Sequence, residues 1–463
     1  MVATYFKKTD FLLNEREYLK APREKTLFRS VAVLYLIAYY ILPPYFGIPT
    51  PGFDLTALRI MILIAGIMMI CDYDRLKNFI EMVKTEKTTY LILPYIFVIF
   101  YTMVFRFDFN AFLNPFFEIL EMYLLIYMIR EALGVNETVR LVIVFIWILA
   151  ILGIVEAITQ YSPFVYLMTI DCLATGRFIR AGSYRIMSNC VHALGYGLLL
   201  VTAIPFSGYD IEKKEFNIFR RPILLFVLMA NVFLNGSRST LGLALVEVAA
   251  MFVLSDRKYF RENLVYITTF LVLLTGFLLV GRGTPPGKYM MLQITSVIDS
   301  VFGTRYSVKY GANLDLLNGS SAYRDQLKGV FGVKWLNPIL GRGRKRAFRA
   351  MVNGAKIESI DNFYIADYIR YAYPGMFSII YFFVRTIYNM LKDLFKTRSA
   401  LLRVILISTV TYCAELYVVD SLMTLKYLYL NVALFICMEK VAYVPESDSC
   451  RYIGKKDSKY VKK

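Results

Sequence analysis

Apolar residues along this chain come in blocks of about twenty, set apart by short polar connections. A block of that length is what a helix needs to cross a hydrocarbon layer of roughly 30 Å at about 1.5 Å per residue. The pattern predicts twelve spans, at about 28–46, 53–71, 88–105, 112–130, 139–158, 190–207, 222–236, 239–254, 264–281, 362–390, 401–419 and 422–439. The tenth is longer than one crossing requires. Its start, DNFYIADYIRYAYPG, is expected to run along the membrane surface before Gly375 and the apolar FSIIYFFV. The fold class read from this pattern is an all-α integral membrane protein of about 12 transmembrane helices with one large extracytoplasmic loop, a single polytopic domain over 1–463. No internal repeat and no low-complexity segment interrupts it.

The charges between the blocks set an orientation. The N-terminal tail, DYDRLKNFIEMVKTEK, IEKKEFNIFRR, SDRKYFRE, KDLFKTR and the C-terminal tail are basic, and they alternate with poorly charged connections such as PPYFGIPTPGFD and ELYVVDS. Positive residues collect in cytoplasmic loops, which places both termini in the cytoplasm. Two loops then face outward although they are rich in arginine: 159–189, and the large loop 282–361. A long loop crosses largely regardless of its charge, so the larger one does not contradict the topology. Within it, YMMLQITSVIDSVF and YRDQLKGVFGV have the pattern of short amphipathic helices at the interface.

Composition agrees. Hydrophobic residues make up 57% of the chain and the mean hydropathy is +0.51, too apolar for an ordinary soluble domain. The net charge of +18 reads in this setting as positive-inside bias and attraction to anionic lipid, not as a nucleic-acid surface. The N-terminal stretch lacks a continuous apolar core followed by a small-residue cleavage site, so the first span is expected to stay as an anchor. Six cysteines are scattered without a CxxC, and His192 is the single histidine. That argues against a His/Cys metal site. Cys172 and Cys190 could both face outward and pair, although free buried thiols are the plainer expectation. Asn136, Asn235 and Asn318 begin N-x-[ST] triplets that are read as incidental.

The arginines carry the first candidate chemistry. Arg177, Arg180 and Arg185 lie on the first outward loop and Arg238 at the turn between the seventh and eighth spans. Arg324 lies on the large loop, with the run Arg342, Arg344, Lys345, Arg346 and Arg349 beyond it. Guanidinium groups match phosphate oxygens with paired N–H donors and stay charged when partly desolvated. Arginines converging above a membrane suit a diphosphate whose lipid tail lies in the bilayer; the competing reading, strongest for the 342–349 run, is snorkelling to anionic headgroups. Glu118, Glu121, Glu156, Glu247, Glu415 and Asp420 lie in or beside spans, where ionisable groups face the bundle interior and pair or mark a pathway. Glu156 and Glu247 are expected to pair with arginines of the outer layer. Asp361 closes the large loop ahead of FYIADYI; it is read either as a general base or as the helix N-cap.

Four segments resemble the O-antigen polymerase/ligase superfamily of bacterial inner membranes, and within it the Wzy-type polysaccharide polymerases. They are Gly176–Arg185 (GRFIRAGSYR) followed by Ser188–Asn189; Asn235–Gly236–Ser237–Arg238–Ser239; Ser320–Ser321–Ala322–Tyr323–Arg324 with Pro338–Ile339–Leu340–Gly341–Arg342–Gly343; and Asp361–Asn362–Phe363–Tyr364 with Gly375. The similarity covers about residues 140–390. It implies a GT-C-like glycosyltransferase with its site on the outer face of the bacterial cytoplasmic membrane. Its substrates would be undecaprenyl-diphosphate-linked glycans, polymerised repeat unit by repeat unit without metal or other cofactor. The bilayer is the setting, and a chain-length regulator and a flippase are the implied partners. The implied catalytic set is Asp361, Arg238 and Arg324, with Arg177, Arg180, Arg185, Asn362, Tyr364 and Arg342 binding substrate. The ligase branch has a histidine where this chain has Asp361, which favours a polymerase. The alternatives are a ligase-type transferase and a lipid-linked oligosaccharide flippase.

The topology has a direct check. A membrane-impermeant thiol reagent is expected to label cysteines introduced at 310–350 from outside, and those at 80–87 and 392–398 only after permeabilisation. The reverse pattern would overturn every role assigned above.

Overall fold

The computed structural model describes residues 23–50, 54–171, 179–180, 183–281, 283–312, 322–344, 348–352, 354–357, 359–421 and 424–442. The helices in chain order are α1 (Arg23–Tyr40), α2 (Ala57–Ile70), α3 (Tyr73–Thr85), α4 (Lys87–Arg106), α5 (Phe109–Met128), α6 (Gly134–Thr159), α7 (Ala193–Ala203), α8 (Pro222–Asn235), α9 (Arg238–Leu254), α10 (Phe260–Gly281), α11 (Pro285–Phe302), α12 (322–328), α13 (Phe363–Thr397), α14 (Ala400–Glu415) and α15 (Leu425–Ala442). Among the described residues, strands are confined to two-residue antiparallel hairpins, such as Gly47–Ile48 against Leu55–Thr56 with Gly47 opposite Thr56. Each stretch expected to span is helical to within a few residues.

Length is where the expectation of twelve crossings meets its limit. Among the described residues, Lys87–Arg106, the continuous Phe109–Thr159 and Arg257–Gly281 are long and apolar enough to cross a membrane, while Leu27–Tyr40, Ala57–Ile70, Ala193–Gly208, Pro222–Asn235 and Leu425–Met438 are apolar but shorter. The Phe109–Thr159 stretch joins two expected spans because Ile129–Leu133 forms a π-helical turn instead of a loop.

Local signals explain the helix starts. Side chains of Thr56, Asp72, Ser237, Thr284, Asn362 and Ser399 accept a backbone N–H from the first turn that follows, filling donors that a helix start leaves open. The main core runs through α1, α4, α5, α6, α7, α14 and α15, and includes Tyr35, Tyr39, Ile99, Leu124, Tyr196, Tyr412 and Tyr427. A second, smaller core of Leu327, Val330, Ile357, Ile365, Tyr368, Ile369 and Met376 fastens the segments 322–336 and 354–357 to α13.

α13 is two helices. Ala372 has φ 58° and ψ −166°, two residues before Pro374, a conformation that costs a non-glycine residue of order 1–3 kcal/mol. The first half is not a surface helix: Phe363, Ile365, Ala366, Asp367, Tyr368, Ile369 and Tyr371 are all buried. The stretch DNFYIADYIRYAYPG is thus packed within the protein, and the helix breaks just ahead of Gly375. The break opens backbone groups that need partners, and the segment 338–343 supplies them. Arg342 N–H donates to Ile369 O (2.9 Å), Gly343 N–H to Arg370 O (3.0 Å), and Tyr373 N–H to Pro338 O (3.1 Å). α4 holds this strap from the other side, with Arg106 donating to Gly341 O (2.6 Å) and Leu340 O (3.1 Å) and Tyr101 to Ile339 O (2.6 Å). A Cβ on Gly341 would lie 2.1 Å from Arg370 O, so the strap needs glycine there for close approach. Gly341→Ala is therefore expected to destabilise the protein by about 1–3 kcal/mol, read as a lowered thermal midpoint in detergent. An unchanged midpoint would show that the strap does not hold the break.

Candidate functional site

The helix ends at 40, 106, 159, 235, 281 and 415 and the loop segments around 186–192 and 322–361 gather at one end of the bundle. Asn189 donates to Tyr40 O (2.8 Å), Asn235 to Ile186 O (3.1 Å), Arg106 to Gly341 O (2.6 Å), and Phe363 N–H to Leu416 O (3.0 Å). The candidate site lies at this loop-bearing end.

Its centre is the turn Asn235–Gly236–Ser237 between α8 and α9. Gly236 has φ +64°, the left-handed conformation that closes a helix cheaply only with glycine. Asn235 is buried and its amide donates to Ile186 O (3.1 Å) and Ala193 O (2.6 Å), tying the turn to the segment before α7. Arg185 lies across the turn: its Nε donates to Asn235 O at 2.9 Å and its side chain packs over Gly236, 3.4 Å from where a Cβ would sit. Arg238 is the first residue of α9 and reaches Ser300 Oγ at 3.5 Å. α11 roofs this turn. Tyr289 donates to Phe233 O (2.9 Å), and Ser300, eleven residues on and three helical turns away on the same face, meets Arg238. The end of α11 is fixed by Asp299. Burial alone would raise its pKa, but hydrogen bonds from the hydroxyls of Ser307 and Thr304 and the N–H groups of Ser307 and Tyr306 outweigh that and hold it at about 2.

His192 feels the charges of both Arg185 and Asp361. Asp361 is not the cap of α13. Asn362 is: its Oδ1 accepts Ile365 N–H (3.0 Å) while its Nδ2 donates to Tyr417 O (2.7 Å). Asp361, half-buried, accepts from Ser359 Oγ (2.9 Å). Ser359 is held in turn by Tyr323, which donates to Ser359 O (2.6 Å) and accepts its N–H (2.9 Å). The short helix 322–328 that carries Arg324 is thereby pinned beside Asp361.

Other residues singled out from the sequence have structural partners. Tyr364 donates to Cys413 O (2.7 Å). Arg342 stacks its guanidinium on Trp335, 4.6 Å from the ring centre. His192 accepts Leu194 N–H on Nδ1 (3.0 Å) and caps α7. Arg180 lies in the hairpin Ile179–Arg180/Ser183–Tyr184; Arg177, Lys345, Arg346 and Cys172 lie outside the described residues. Cys190 is a buried free thiol.

The acidic expectations need correction. Among the described residues Glu156 pairs with no arginine: it accepts from Tyr184 Oη (2.9 Å), Met187 N–H (2.9 Å) and Ser188 N–H (2.7 Å). It thereby holds Ser188 at φ 51°. Glu247 bonds Thr411 (2.9 Å) and Glu415 bonds Thr240, so each acid of the α9–α14 contact faces a threonine of the other helix. Sequence reading missed a second polar group around the broken helix. Arg370 forms a two-pronged pair with Asp420 (2.6 and 3.4 Å). Asp367 accepts from Tyr95 (3.0 Å), and Arg344 donates to Tyr371 Oη (3.2 Å) and through its N–H to Asp108 (2.6 Å). Glu118 lies within electrostatic reach of Arg344, Arg370 and Arg59. The signal was present in DYIRY, where an acid and an arginine one helical turn apart sit inside an apolar block.

Comparison with protein-family models finds no match, and comparison with curated proteins finds none.

The reassigned cap yields a stability test. Asn362→Ala removes a cap and a second hydrogen bond and is expected to cost about 1–3 kcal/mol. Asp361→Ala is expected to stay within about 0.5 kcal/mol of wild type. Denaturant or thermal unfolding in detergent distinguishes them, and equal losses would return the cap to Asp361.

Proposed function

We propose that this chain is a multi-pass membrane glycosyltransferase that joins lipid-diphosphate-linked oligosaccharide units on the outer face of the bacterial cytoplasmic membrane. A surface-polysaccharide repeat-unit polymerase is the form that fits best. The observation that carries the reading is the turn at 235–238: Arg185 bonds Asn235 O, Arg238 opens α9 and reaches Ser300, and His192 feels the charges of both Arg185 and Asp361. A helix start offers unpaired N–H donors to an anion, and guanidinium groups add paired, permanently charged donors.

In this reading the twelve helical segments cross the membrane and the loop-bearing end faces outward. Arg185, Arg238 and Arg324 hold the donor diphosphate. The acceptor hydroxyl oxygen attacks the anomeric carbon, the carbon–oxygen bond to the diphosphate breaks, and the diphosphate leaves with the electron pair. Asp361 takes the acceptor proton as general base, a role open to it because Asn362 does the capping. The arginines stabilise the charge that grows on the leaving diphosphate.

Purified protein in vesicles with an undecaprenyl-diphosphate-linked repeat unit is expected to give a ladder of longer lipid-linked products. Arg185→Ala and Arg238→Ala are each expected to slow it by roughly a hundredfold or more, from about 2–4 kcal/mol of lost transition-state stabilisation. The lysine variants are expected to recover only part, because an ammonium lacks the paired donors. Full activity in both alanine variants would sink the site. Translocation of the lipid-linked sugar without lengthening would identify a flippase instead, and transfer to a lipid A core acceptor a ligase.

A further inference from the structure

α5 and α15 bring together four polar side chains away from the turn at 235–238. Glu118 and Glu121 lie one turn apart on α5, and Lys426 and Tyr429 one turn apart on α15, so each pair shares a helix face. Glu121 (8% exposed), Lys426 (7%) and Tyr429 (1%) are buried, and Glu118 is half-buried. Glu121 feels the charges of Glu118 and Lys426, and Tyr429 those of Glu118 and Glu121. Among the described residues none of the four side chains makes a hydrogen bond or an ion pair. What bonds α1 to this place are backbone carbonyls: Tyr35 donates to Glu121 O (3.0 Å) and Tyr39 to Lys426 O.

Opposite charges in an apolar bundle attract strongly, and Glu121 and Lys426 have long, flexible side chains. Among the described residues they nevertheless form no ion pair. A charge held out of water and unpaired is strongly unfavourable, so the space between these groups is one for polar matter that satisfies both signs. The groups around it lead toward the loop-bearing end. Glu118 feels the charges of Arg344, Arg370, Asp420 and Arg59. Arg370 and Asp420 keep 26% and 19% of their side chains exposed. Arg344 donates through Nε to Tyr371 Oη (3.2 Å), and Arg59 donates to Asn114 Oδ1 (2.7 Å), one turn before Glu118 on α5.

The signs decide the class of ligand. Arg370 is paired with Asp420, which leaves Lys426 and Arg344 facing Glu118 and Glu121. An anion would meet two carboxylates there, and a cation an ammonium and a guanidinium. A hydroxyl donates to a carboxylate and accepts from either cation. A sugar ring carries several hydroxyls in fixed directions, and Tyr429 adds an aromatic ring to receive its apolar side. We infer that the space between α5 and α15 is a binding site for a neutral, hydroxyl-rich sugar ring. The inference does not depend on the proposed reaction; under that reaction the ring is one of the repeat unit's own sugars, and the site selects which one.

The test is saturation-transfer NMR on the full chain in nanodiscs. The probes are the methyl glycosides of glucose, galactose, mannose and N-acetylglucosamine, with the charged methyl glucuronide and methyl glucosaminide beside them. At least one neutral glycoside is expected to bind, at least tenfold more tightly than either charged one. Glu121→Gln and Lys426→Met are each expected to weaken it at least tenfold. Glu118→Gln and Tyr429→Phe, which change a single atom each, are expected to weaken it at least threefold without loss of folded protein. Arg185→Ala/Arg238→Ala is expected to leave it unchanged. No binding of any neutral glycoside would mean that water alone fills the space and would overturn the site. Preference for a charged glycoside, or binding unchanged in Glu121→Gln and Tyr429→Phe, would overturn it equally. Binding lost only in the double arginine variant would put the sugar at the turn instead. Absence of the product ladder with glycoside binding as expected would strike the proposed reaction and leave this site standing.

Discussion

A charge inside an apolar bundle must find a partner, because an isolated ion taken out of water costs many kcal/mol. That constraint organises the loop-bearing end of this protein. Several acids are committed: Glu156 to the turn before α7, Glu247 and Glu415 to threonines across the α9–α14 contact, and Asp420 to Arg370. Breaking one partner of such a set leaves the other buried and uncompensated, so these groups fix how the helices sit against each other. Arg185 and Arg238 meet the constraint differently. They stand at a helix boundary, where Arg185 donates to the Asn235 carbonyl and Arg238 to the Ser300 hydroxyl.

The broken helix α13 extends the same logic to the backbone. An interruption inside a packed helix exposes carbonyls that need donors. The strap 338–343 provides them, and glycine at 341 allows the approach. Because that strap is also bonded to α4, the large loop is fixed at both ends of the break. The helix 322–328 reaches Asp361 through Tyr323 and Ser359 from a rigid base. A site assembled from a loop needs such a base if its groups are to hold a reacting geometry.

Much of this was legible in the sequence, and the exceptions have physical reasons. Helix positions followed from apolar block length, because a helix of that length in an apolar setting has few alternatives. The turn at 235–238 was legible because glycine, serine and arginine interrupt a long apolar run. A change of course before Gly375 was legible, but its place at Ala372 was not, because the partners of the freed carbonyls lie some thirty residues earlier in the chain. Asp361 and Asn362 are both good capping residues, and pattern alone cannot say which one the helix uses. The partners of Glu156 were illegible for a related reason, since two of the three donors are backbone N–H groups that no residue type announces.

The central claim is that Arg185 and Arg238 recognise a diphosphate at the head of a lipid. The most direct measurement is equilibrium binding of undecaprenyl diphosphate and of undecaprenol to the purified protein in nanodiscs, for the wild type and the Arg185→Ala/Arg238→Ala double variant. The account predicts that the wild type binds the diphosphate at least a hundredfold more tightly than the alcohol, and that the double variant loses that preference while still binding the alcohol. Equal affinity of the wild type for the two lipids, or a preference unchanged in the double variant, would contradict it.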